Sequence, residues 1–548
     1  MDLKKEHEVL IVKTEPYQDQ IADYKGLIRA VKQYESVNYV ENYIQSFFHV
    51  LDILEPNGNL KLLTGSDGRY YSDISIQKLI KLTAANSNIS KLYIAQNGIL
   101  TVPAASCFIR QRVLDAGILF TANGANGGVN GDFGIKFEDR NGAPLNRLFT
   151  DQIYHYSCKL NEYKICPDIK VDVKHVHEYK FLIRDGKSVR KFSIEVIDSV
   201  QDYVQKMKEI FDFKMLRSFI KSGARLTLNC MNGAAGVYAK AILCGELGLL
   251  DFEVVKYESA EDFCGLTPEP VPSNVSDLFG LMRKGVHEVG FALGGDGQQF
   301  IVIGKDGLFV KPCDALAVIA ANLESISYYK KNGVKGFARA FASSRNIDRV
   351  AKDLEKKIIE LPQNWIHSAN LIASEEISLA GDEDYGVAAE HSLEKDGLWA
   401  ILAWINILEY RRTIVNRLMK YHWQRYGRSM FARYEFDKID ENTCRQVLDK
   451  LEEKVSEPSF LGKIFTIQSV KKGRMNTTET LSLVKDELYA SYNQELKENN
   501  LNENSDVIKQ LVKYEVVDTE AFQYEDPFDG STTLKEVIKI YSLIISNQ

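Results

Sequence analysis

The sequence predicts an α/β protein of several domains, each built around a mainly parallel sheet. Short apolar runs alternate with stretches of helical period for most of the 548 residues. This order of strand, helix and strand is typical of parallel α/β units. One hydrophobic core cannot serve a chain of this length, since a domain usually takes about 100 to 200 residues. We therefore expect three or four domains.

The predicted elements follow one another regularly along the chain. The strand LKLLTG precedes the helix DISIQKLIKLTAAN, followed by KLYIAQ and by the helix and strand of PAASCFIRQRVLDAGILF. Further on, RLTLNCM precedes GVYAKAILCGELG, and EVGFALGG precedes FIVIG. Glycine-rich polar loops follow several strands, at 65–71, 121–132 and 294–300. Because open α/β sheets bind ligands at the carboxyl ends of strands, we expect these loops to converge on one cleft between domains.

The composition excludes several classes of protein. The apolar content of 45% and charged content of 26% are those of an ordinary globular protein. A net charge of -7 argues against nucleic acid as a partner. We find no apolar run near the roughly 18 residues of a membrane span, and no signal peptide at the start. The eight cysteines are scattered, which indicates a reducing compartment. We expect a cytoplasmic protein with no membrane insertion.

The segment 475–512 differs in character from the rest of the chain. It carries apolar residues at helical spacing, namely Leu481, Val484, Leu488, Tyr492 and Leu496. An Asn- and Glu-rich tract follows at 497–506. This pattern predicts an amphipathic helix and then a flexible connection.

The stretch FTANGANGG, at 120–128, reads as a buried strand that runs into an exposed loop. Enzymes often place nucleophiles on loops of this kind. This one contains no Ser, Cys, His, Asp, Glu or Lys.

Several long strings identify a family to which this chain is similar: VKTEPYQDQ, SDGRYY, GGVNGDFGIKF, NGVKGFARAFASSRNIDRVA, EKDGLWAILAW and HWQRYGRSMFARY. They resemble the eukaryotic phosphoglucomutases and parafusin, of the α-D-phosphohexomutase superfamily. The resemblance implies four α/β domains around a central cleft, each of which supplies one functional loop. We place these domains at 1–192, 193–304, 305–412 and 413–548.

The loops depart from the family pattern where the chemistry resides. The family's phosphoryl-carrying loop reads T-A-S-H-N-P, and here its serine is replaced by Asn123. A carboxamide cannot carry a phosphoryl group in this way. The family's metal loop, D-G-D-G-D-R, has become Gly294, Gly295, Asp296, Gly297, Gln298 and Gln299, with one carboxylate left. Because Mg²⁺ is usually held by carboxylates together with phosphate oxygens, we expect the site to be lost and no cofactor to be bound.

The two substrate loops also differ. The family's sugar-binding G-E-E-S appears as Gly381, Asp382, Glu383 and Asp384, so a carboxylate replaces a hydroxyl and repels phosphosugars. The family's phosphate clamp follows a segment that matches YEDPFDGSTT, at 524–533, but the chain ends at Gln548 without it. We therefore predict a fourth domain that is truncated before the phosphate-binding loop and rebuilt around the 475–512 insert.

Some polar residues of the family pattern survive. Lys136, His391 and Lys395 match positions near the reacting sugar. They form either a residual site for a sugar phosphate or cleft-lining side chains whose ion pairs hold domains together, and we favour the second interpretation. We expect Asp67 and Arg69 to form a buried structural pair that fixes a loop.

We predict a pseudoenzyme that acts as a structural or interaction protein. The resemblance gives a precedent, because a non-catalytic vertebrate relative associates with the cytoskeleton and parafusin-like members associate with secretory vesicles. We expect protein partners, through the insert, in a cytoskeletal, ciliary or secretory assembly. A sugar-phosphate sensor without turnover and a weak phosphoglucomutase remain as alternatives.

Overall fold

The computed structural model describes residues 5–54, 58–429, 440–456, 464–468, 511–521, 524–525, 532–533 and 538–545. The chain divides into two compact units, Met1–Ser429 and Met430–Gln548. The first unit contains three α/β domains in succession. No helix in the described ranges has the length and apolar content needed to cross a membrane.

The first domain is a layered α/β structure. Its described strands are β1 (Glu6–Glu8), β2 (Leu10–Lys13), β3 (Leu27–Ala30), β4 (Leu60–Ser66), β5 (Ile89–Ile99), β6 (Ala116–Phe120), β7 (Asp132–Glu138), β8 (Glu162–Ile165), β9 (His177–Asp185) and β10 (Ser188–Ile197). Its helices are α1 (Val31–Tyr34), α2 (Tyr39–Leu54), α3 (Ser72–Ala85), α4 (Val102–Arg112) and α5 (Arg147–Ser157). Eight strands form one sheet in the order β1-β9-β10-β5-β4-β6-β7-β3, while β2 and β8 pair separately.

The centre of this sheet is parallel, as the sequence predicts. Strands β10, β5, β4 and β6 pair in parallel. Helix α4 begins where the Thr101 side chain accepts a hydrogen bond from the Ala104 amide, and Pro103 stands in its first turn, where no amide donor is needed. All five residues of β6, the run AGILF, are buried, as expected of a strand covered on both faces. The loop that follows β6 is therefore mounted on a rigid element.

The second and third domains continue the α/β pattern. The second contains α6 (Ser199–Ile210), α7 (Phe213–Lys221), β11 (Leu226–Asn229), α8 (Ala235–Ala239), a π-helix (Lys240–Glu246), β12 (Val254–Val255), α9 (Ser276–Arg283), β13 (Val289–Leu293), β14 (Phe300–Gly304) and β15 (Phe309–Val310). The third contains α10 (Pro312–Asn322), α11 (Ser327–Asn332), β16 (Gly336–Ala340), α12 (Asn346–Asp353), β17 (Lys357–Leu361), α13 (Trp365–Ala373), β18 (Leu379–Gly381), β19 (Val387–Ala389), α14 (Gly397–Arg411) and α15 (Val415–Tyr426). Their sheets run β12-β11-β13-β14-β15 and β17-β16-β18-β19.

In the structure, each of the three domains ends later in the chain than the sequence predicts. The boundary at 192 falls inside β10, which pairs with both β9 and β5 of the first sheet. The boundary at 304 would cut off β15, which pairs with β14 of the second sheet. The boundary at 412 would remove α15, whose Leu418 and Met419 belong to the shared hydrophobic core. The three domains therefore end near residues 197, 310 and 426.

A continuous hydrophobic core joins the second and third domains. Helix α14 runs through it and is buried from Gly397 to Leu408, including Trp399 and Trp404. A helix that is apolar on all sides belongs in the interior of a large protein. Asp396 caps this helix by accepting a hydrogen bond from the Trp399 amide. The segment around Asp396 is thus held firmly between domains.

The second unit contains a helix and several strands. These are α16 (Glu441–Ser456), β20 (Ile464–Gln468), β21 (Leu511–Ala521), β22 (Tyr524–Glu525), β23 (Thr532–Thr533) and β24 (Ile538–Ile545). One sheet has the order β20-β21-β24, and β22 pairs with β23. Of the predicted insert, Leu511 and Val512 begin β21, while 475–510 lie outside the described residues.

Candidate functional site

The three polar loops of the first unit meet, as the sequence predicts. The amide of Gly397 donates to the carbonyl of Gly297 at 2.9 Å, and that of Val102 donates to the carbonyl of Asp296 at 3.1 Å. These bonds join the loop after β13 to both the first and the third domain. The amide of Gly128 donates to the carbonyl of Glu261 at 2.9 Å, which ties the loop after β6 to the second domain. Arg69 joins the loops at 65–71 and 121–132 by donating to the carbonyl of Asn123. Asp67 also lies close enough to Asp296 to contribute to the rise in its pKa, so the three loops form one site.

The loop after β6 keeps its shape without a nucleophile. Asn123 has a φ of 55°, in the left-handed region that asparagine tolerates better than most residues. Its side-chain oxygen accepts a hydrogen bond from the Gly124 amide at 2.9 Å. The hydroxyl of Thr121 is buried and donates to Asp67 at 2.7 Å. The carboxamide thus stabilises the turn, and the neighbouring hydroxyl is already engaged.

Arg69 holds the loop after β6 in place, which is the structural role predicted for it. Its guanidinium pairs with Asp67 at 2.8 Å, and both side chains are almost fully buried. It also donates to the carbonyls of Asn123, at 3.0 Å, and Asp132, at 2.8 Å. Its guanidinium carbon lies 5.3 Å from the centre of the Phe263 ring, which belongs to the second domain. The guanidinium of Arg69 is therefore engaged in structural contacts.

The loop after β13 does not offer a magnesium site. The Gln298 amide nitrogen donates to Glu394 at 2.7 Å, and that of Gln299 donates to the carbonyl of Asp384 at 3.0 Å. Gly294 and the uncharged Gln298 stand at two of the family's three carboxylate positions, whereas Mg²⁺ is usually held by carboxylates together with phosphate oxygens. No cluster of three or more His, Cys, Asp or Glu side chains suited to a metal occurs among the described residues. Asp296 by itself does not fit the ion that the family pattern implies.

Asp296 is a buried carboxyl group, and no described residue forms an ion pair with it. It is 2% exposed, its Oδ1 accepts from the Gln298 amide at 3.0 Å, and its Oδ2 has no hydrogen-bond partner in the described part of the chain. Burial, with a smaller contribution from Asp67, raises the pKa of Asp296 to about 6. The ionised form is therefore unfavourable in the folded protein.

Replacing Asp296 by Asn should raise the melting temperature at pH 8 and change it little at pH 4. The pKa of Asp296 in the folded protein, about 6, exceeds its value in the unfolded chain. At a pH between these two pKa values the folded state binds more protons than the unfolded state, so the free energy of unfolding falls as the pH rises through this range. A difference of about two pKa units costs roughly 3 kcal/mol above pH 6, which the amide avoids. Thermal melting at both pH values measures the effect.

The control for this substitution is Asp73→Asn, which removes an exposed carboxylate in the first turn of α3. Its effect on melting should be small at both pH values. An Asp296→Asn variant with the same shift at pH 4 and pH 8 would contradict the account.

Lys136 is neutralised by a carboxylate from another domain. Its Nζ lies 2.6 Å from Oε1 of Glu394, and the two side chains are 6% and 1% exposed. Glu138, on the same strand as Lys136, is fully buried, and neither of its oxygens has a partner within the described ranges. Burial and the nearby Glu394 raise the pKa of Glu138 well above its usual value. No motif in the sequence marks Glu394 or Glu138 as a residue of this site.

Lys395 is likewise occupied. Its Nζ forms an ion pair with Asp382, and it lies 5.2 Å from the centre of the Trp365 ring. Asp384 lies 3.9 Å from Nζ of Lys25, which comes from the first domain. The carboxylate that replaces the family's serine therefore faces a lysine of the first domain.

Glu383 is the remaining acid of this loop. Its Oε1 accepts a hydrogen bond from Gln363, and its Oε2 has no partner among described residues. Burial and the neighbouring Asp382 raise the pKa of Glu383 to about 7.

His391 lies in a buried network instead of at the cleft surface. Its Nε2 is 2.8 Å from Asp396, which also accepts from the hydroxyl of Tyr203 at 2.8 Å. Burial lowers the pKa of His391, so the ring is neutral, and Nε2 carries the proton because the carboxylate only accepts. The ring stacks on Trp399. These contacts join the second and third domains and engage the Nε2 proton of His391 with Asp396.

The site as a whole carries an excess of acid. The carboxyl groups are Asp67, Glu138, Asp296, Asp382, Glu383, Asp384 and Glu394, and the cations are Lys25, Arg69, Lys136 and Lys395. Each of these four cations already has a carboxylate partner. A phosphate dianion would have to displace one of those carboxylates in a buried setting, which is costly.

Comparison with known proteins relates this geometry to a family. Models of phosphoglucomutase/phosphomannomutase α/β/α domains I, II and III match residues 21–164, 201–307 and 312–426. Human phosphoglucomutase-1 is 40% identical over 463 residues, which cover 84% of this chain and 81% of that protein. Human phosphoglucomutase-like protein 5 is 34% identical over 536 residues, covering 97% and 86%. The crystal structure of pp63/parafusin from Paramecium superimposes with a TM-score of 0.81 at 29% identity, covering 98% and 88%.

Proposed function

This chain belongs to the phosphoglucomutase/phosphomannomutase family, and we propose that it is a non-catalytic member that acts as a structural or interaction protein. The observation that carries the proposal is Asn123 at the position of the family's phosphorylated serine. Phosphoryl transfer in this family depends on a group that gives and receives phosphate. The Asn123 carboxamide instead accepts a hydrogen bond from the next backbone amide.

The surrounding residues support the same proposal. Gln298 and Gln299 donate hydrogen bonds where the family pattern has a carboxylate and an arginine. Lys136 and Lys395 are each paired with a buried carboxylate. These pairs favour a purely structural role over a sugar-phosphate sensor, because the two lysines have no free charge to offer a ligand.

A role in a larger assembly fits the relatives. The Paramecium protein is described as an exocytosis-sensitive phosphoprotein, and the match to phosphoglucomutase-like protein 5 extends over nearly the whole chain. We therefore propose a cytoskeletal, ciliary or secretory assembly as the setting. The 475–512 insert, whose apolar residues recur at helical spacing, is the proposed contact.

The native protein should co-purify with a stoichiometric partner under mild lysis. Cross-linking followed by quantitative mass spectrometry should place cross-links between that partner and residues 475–512. A variant that lacks 475–506, expressed alongside the full chain, should lose the partner. A lone monomer in the soluble fraction, with no partner after cross-linking, would contradict the proposed role.

A further inference from the structure

A cavity of about 530 Å³ lies along α15 in the third domain, and none of the residues of the three polar loops lines it. Its walls come from α10, α12, α14 and α15. The volume lies within the range of about 300 to 1,000 Å³ that is usual for small-molecule sites. The cavity is therefore separate from the loops that carry out phosphoryl transfer in the family.

Three arginines line the cavity, and two of them have no acidic partner in the part of the chain that the structure describes. Arg425 pairs with Asp353 at 2.8 Å. Arg411 donates from Nε to the side-chain oxygen of Asn322 at 2.7 Å, so its charge meets only a neutral group. Arg417 makes no hydrogen bond or ion pair with any residue of the described ranges. Arg411 and Arg417 are both exposed, and the wall therefore carries two guanidinium groups without an acidic partner among the described residues.

The end of the cavity near Arg417 also suits an anion for a second reason. Helix α15 is 12 residues long, and its N-cap, Ile414, gives no side-chain hydrogen bond to the first turn. Thr413 and Arg417, on either side of this helix start, both line the cavity. Free amides at a helix N-terminus attract negative groups.

Apart from the Arg425–Asp353 pair, the rest of the cavity is apolar or neutral. Leu354, Leu418 and Tyr421 line it, and Tyr421 is 53% exposed. His422 is buried, and burial lowers its pKa to about 4, so it is uncharged at neutral pH. Its Nε2 has no partner among the described residues. Arg417 and Arg425 lie eight residues apart on one helix, which separates their backbones by about 12 Å.

We propose that this cavity binds a small organic phosphate, with the phosphate held by Arg411 and Arg417 and an apolar or aromatic body lying along Leu418 and Tyr421. The planar, forked guanidinium matches phosphate oxygens in a bidentate manner. The backbones of Arg417 and Arg425 are about 12 Å apart, which leaves room for a body of nucleoside size between the bound phosphate and the Arg425–Asp353 pair. A second cavity, of about 610 Å³ in the first domain, is lined by charges of both signs and has no comparable preference.

Isothermal titration calorimetry of the full-length protein tests this site, with ADP and inorganic phosphate as probes. ADP should bind with a dissociation constant below about 1 mM, and more tightly than phosphate. The double variant Arg411→Gln/Arg417→Gln should weaken ADP at least about tenfold. Lys420→Gln removes a charge from the same helix at a residue that does not line the cavity, and it should leave the affinity within about twofold.

A second variant tests the position of the ligand body independently of charge. Leu354→Trp fills the cavity and should reduce ADP affinity while it leaves phosphate affinity nearly unchanged. The proposal is overturned if neither probe shows saturable binding up to about 10 mM, or if the double arginine variant binds ADP as the parent protein does. Because the site uses no residue of the polar loops, these outcomes do not depend on whether catalysis is lost.

Discussion

Replacing Arg69 by Met should destabilise the protein by about 3–5 kcal/mol, the usual cost of removing one partner of a buried ion pair. The substitution leaves the Asp67 carboxylate buried without its cation, since both side chains are almost fully enclosed. It also removes the hydrogen bonds to the carbonyls of Asn123 and Asp132. Chemical denaturation, followed by circular dichroism, measures the loss.

Two further variants identify the cause of this loss. Asp67→Asn combined with Arg69→Met should recover part of the stability, because no uncompensated charge remains. Arg112→Met breaks an exposed pair with Asp202 and should cost less than about 1 kcal/mol. If Arg69→Met costs no more than Arg112→Met, the structural role of Arg69 is wrong.

Restoring the missing serine should not restore catalysis. Loss of an activated nucleophile commonly lowers turnover by about a millionfold, and the loss of each preorganised electrostatic group lowers it by a further 10² to 10³, roughly. Asn123→Ser returns a hydroxyl, but the described residues give Asp296 no partner carboxylates for a metal, and Lys136 stays paired with Glu394. We expect this variant to remain below about a thousandth of an ordinary mutase.

The sequence predicts the α/β architecture because strand and helix periods alternate and the loops follow buried strands. It also shows that the residue types at the family's carrier and metal-ligand positions are replaced, since such a replacement is visible without a structure. The Asp67–Arg69 pair could be predicted for a related reason, as its partners stand two positions apart at the end of a strand.

The contacts that occupy the surviving residues could not be predicted in this way. Lys136 and Glu394 are far apart along the chain, and so are Lys25 and Asp384. Such pairs depend on how the domains dock, and no local spacing encodes them. The environment of His391 depends likewise on Tyr203, a residue of the second domain that carries no motif.

The predicted domain boundaries differ from the observed ones for a physical reason as well. A strand such as Ser188–Ile197 belongs to a domain through its hydrogen-bonded neighbours, and those neighbours are not visible in its own sequence. The same holds for Phe309–Val310, which is only two residues long.

The most direct test of the central claim is a turnover assay of the native protein with glucose 1-phosphate and its bisphosphate activator, in the presence of Mg²⁺. A non-catalytic family member should show less than about a thousandth of the turnover of an ordinary phosphoglucomutase assayed alongside it. Turnover above that level, retained through purification to homogeneity, would contradict the proposal that the protein is non-catalytic and would show that it is an active mutase.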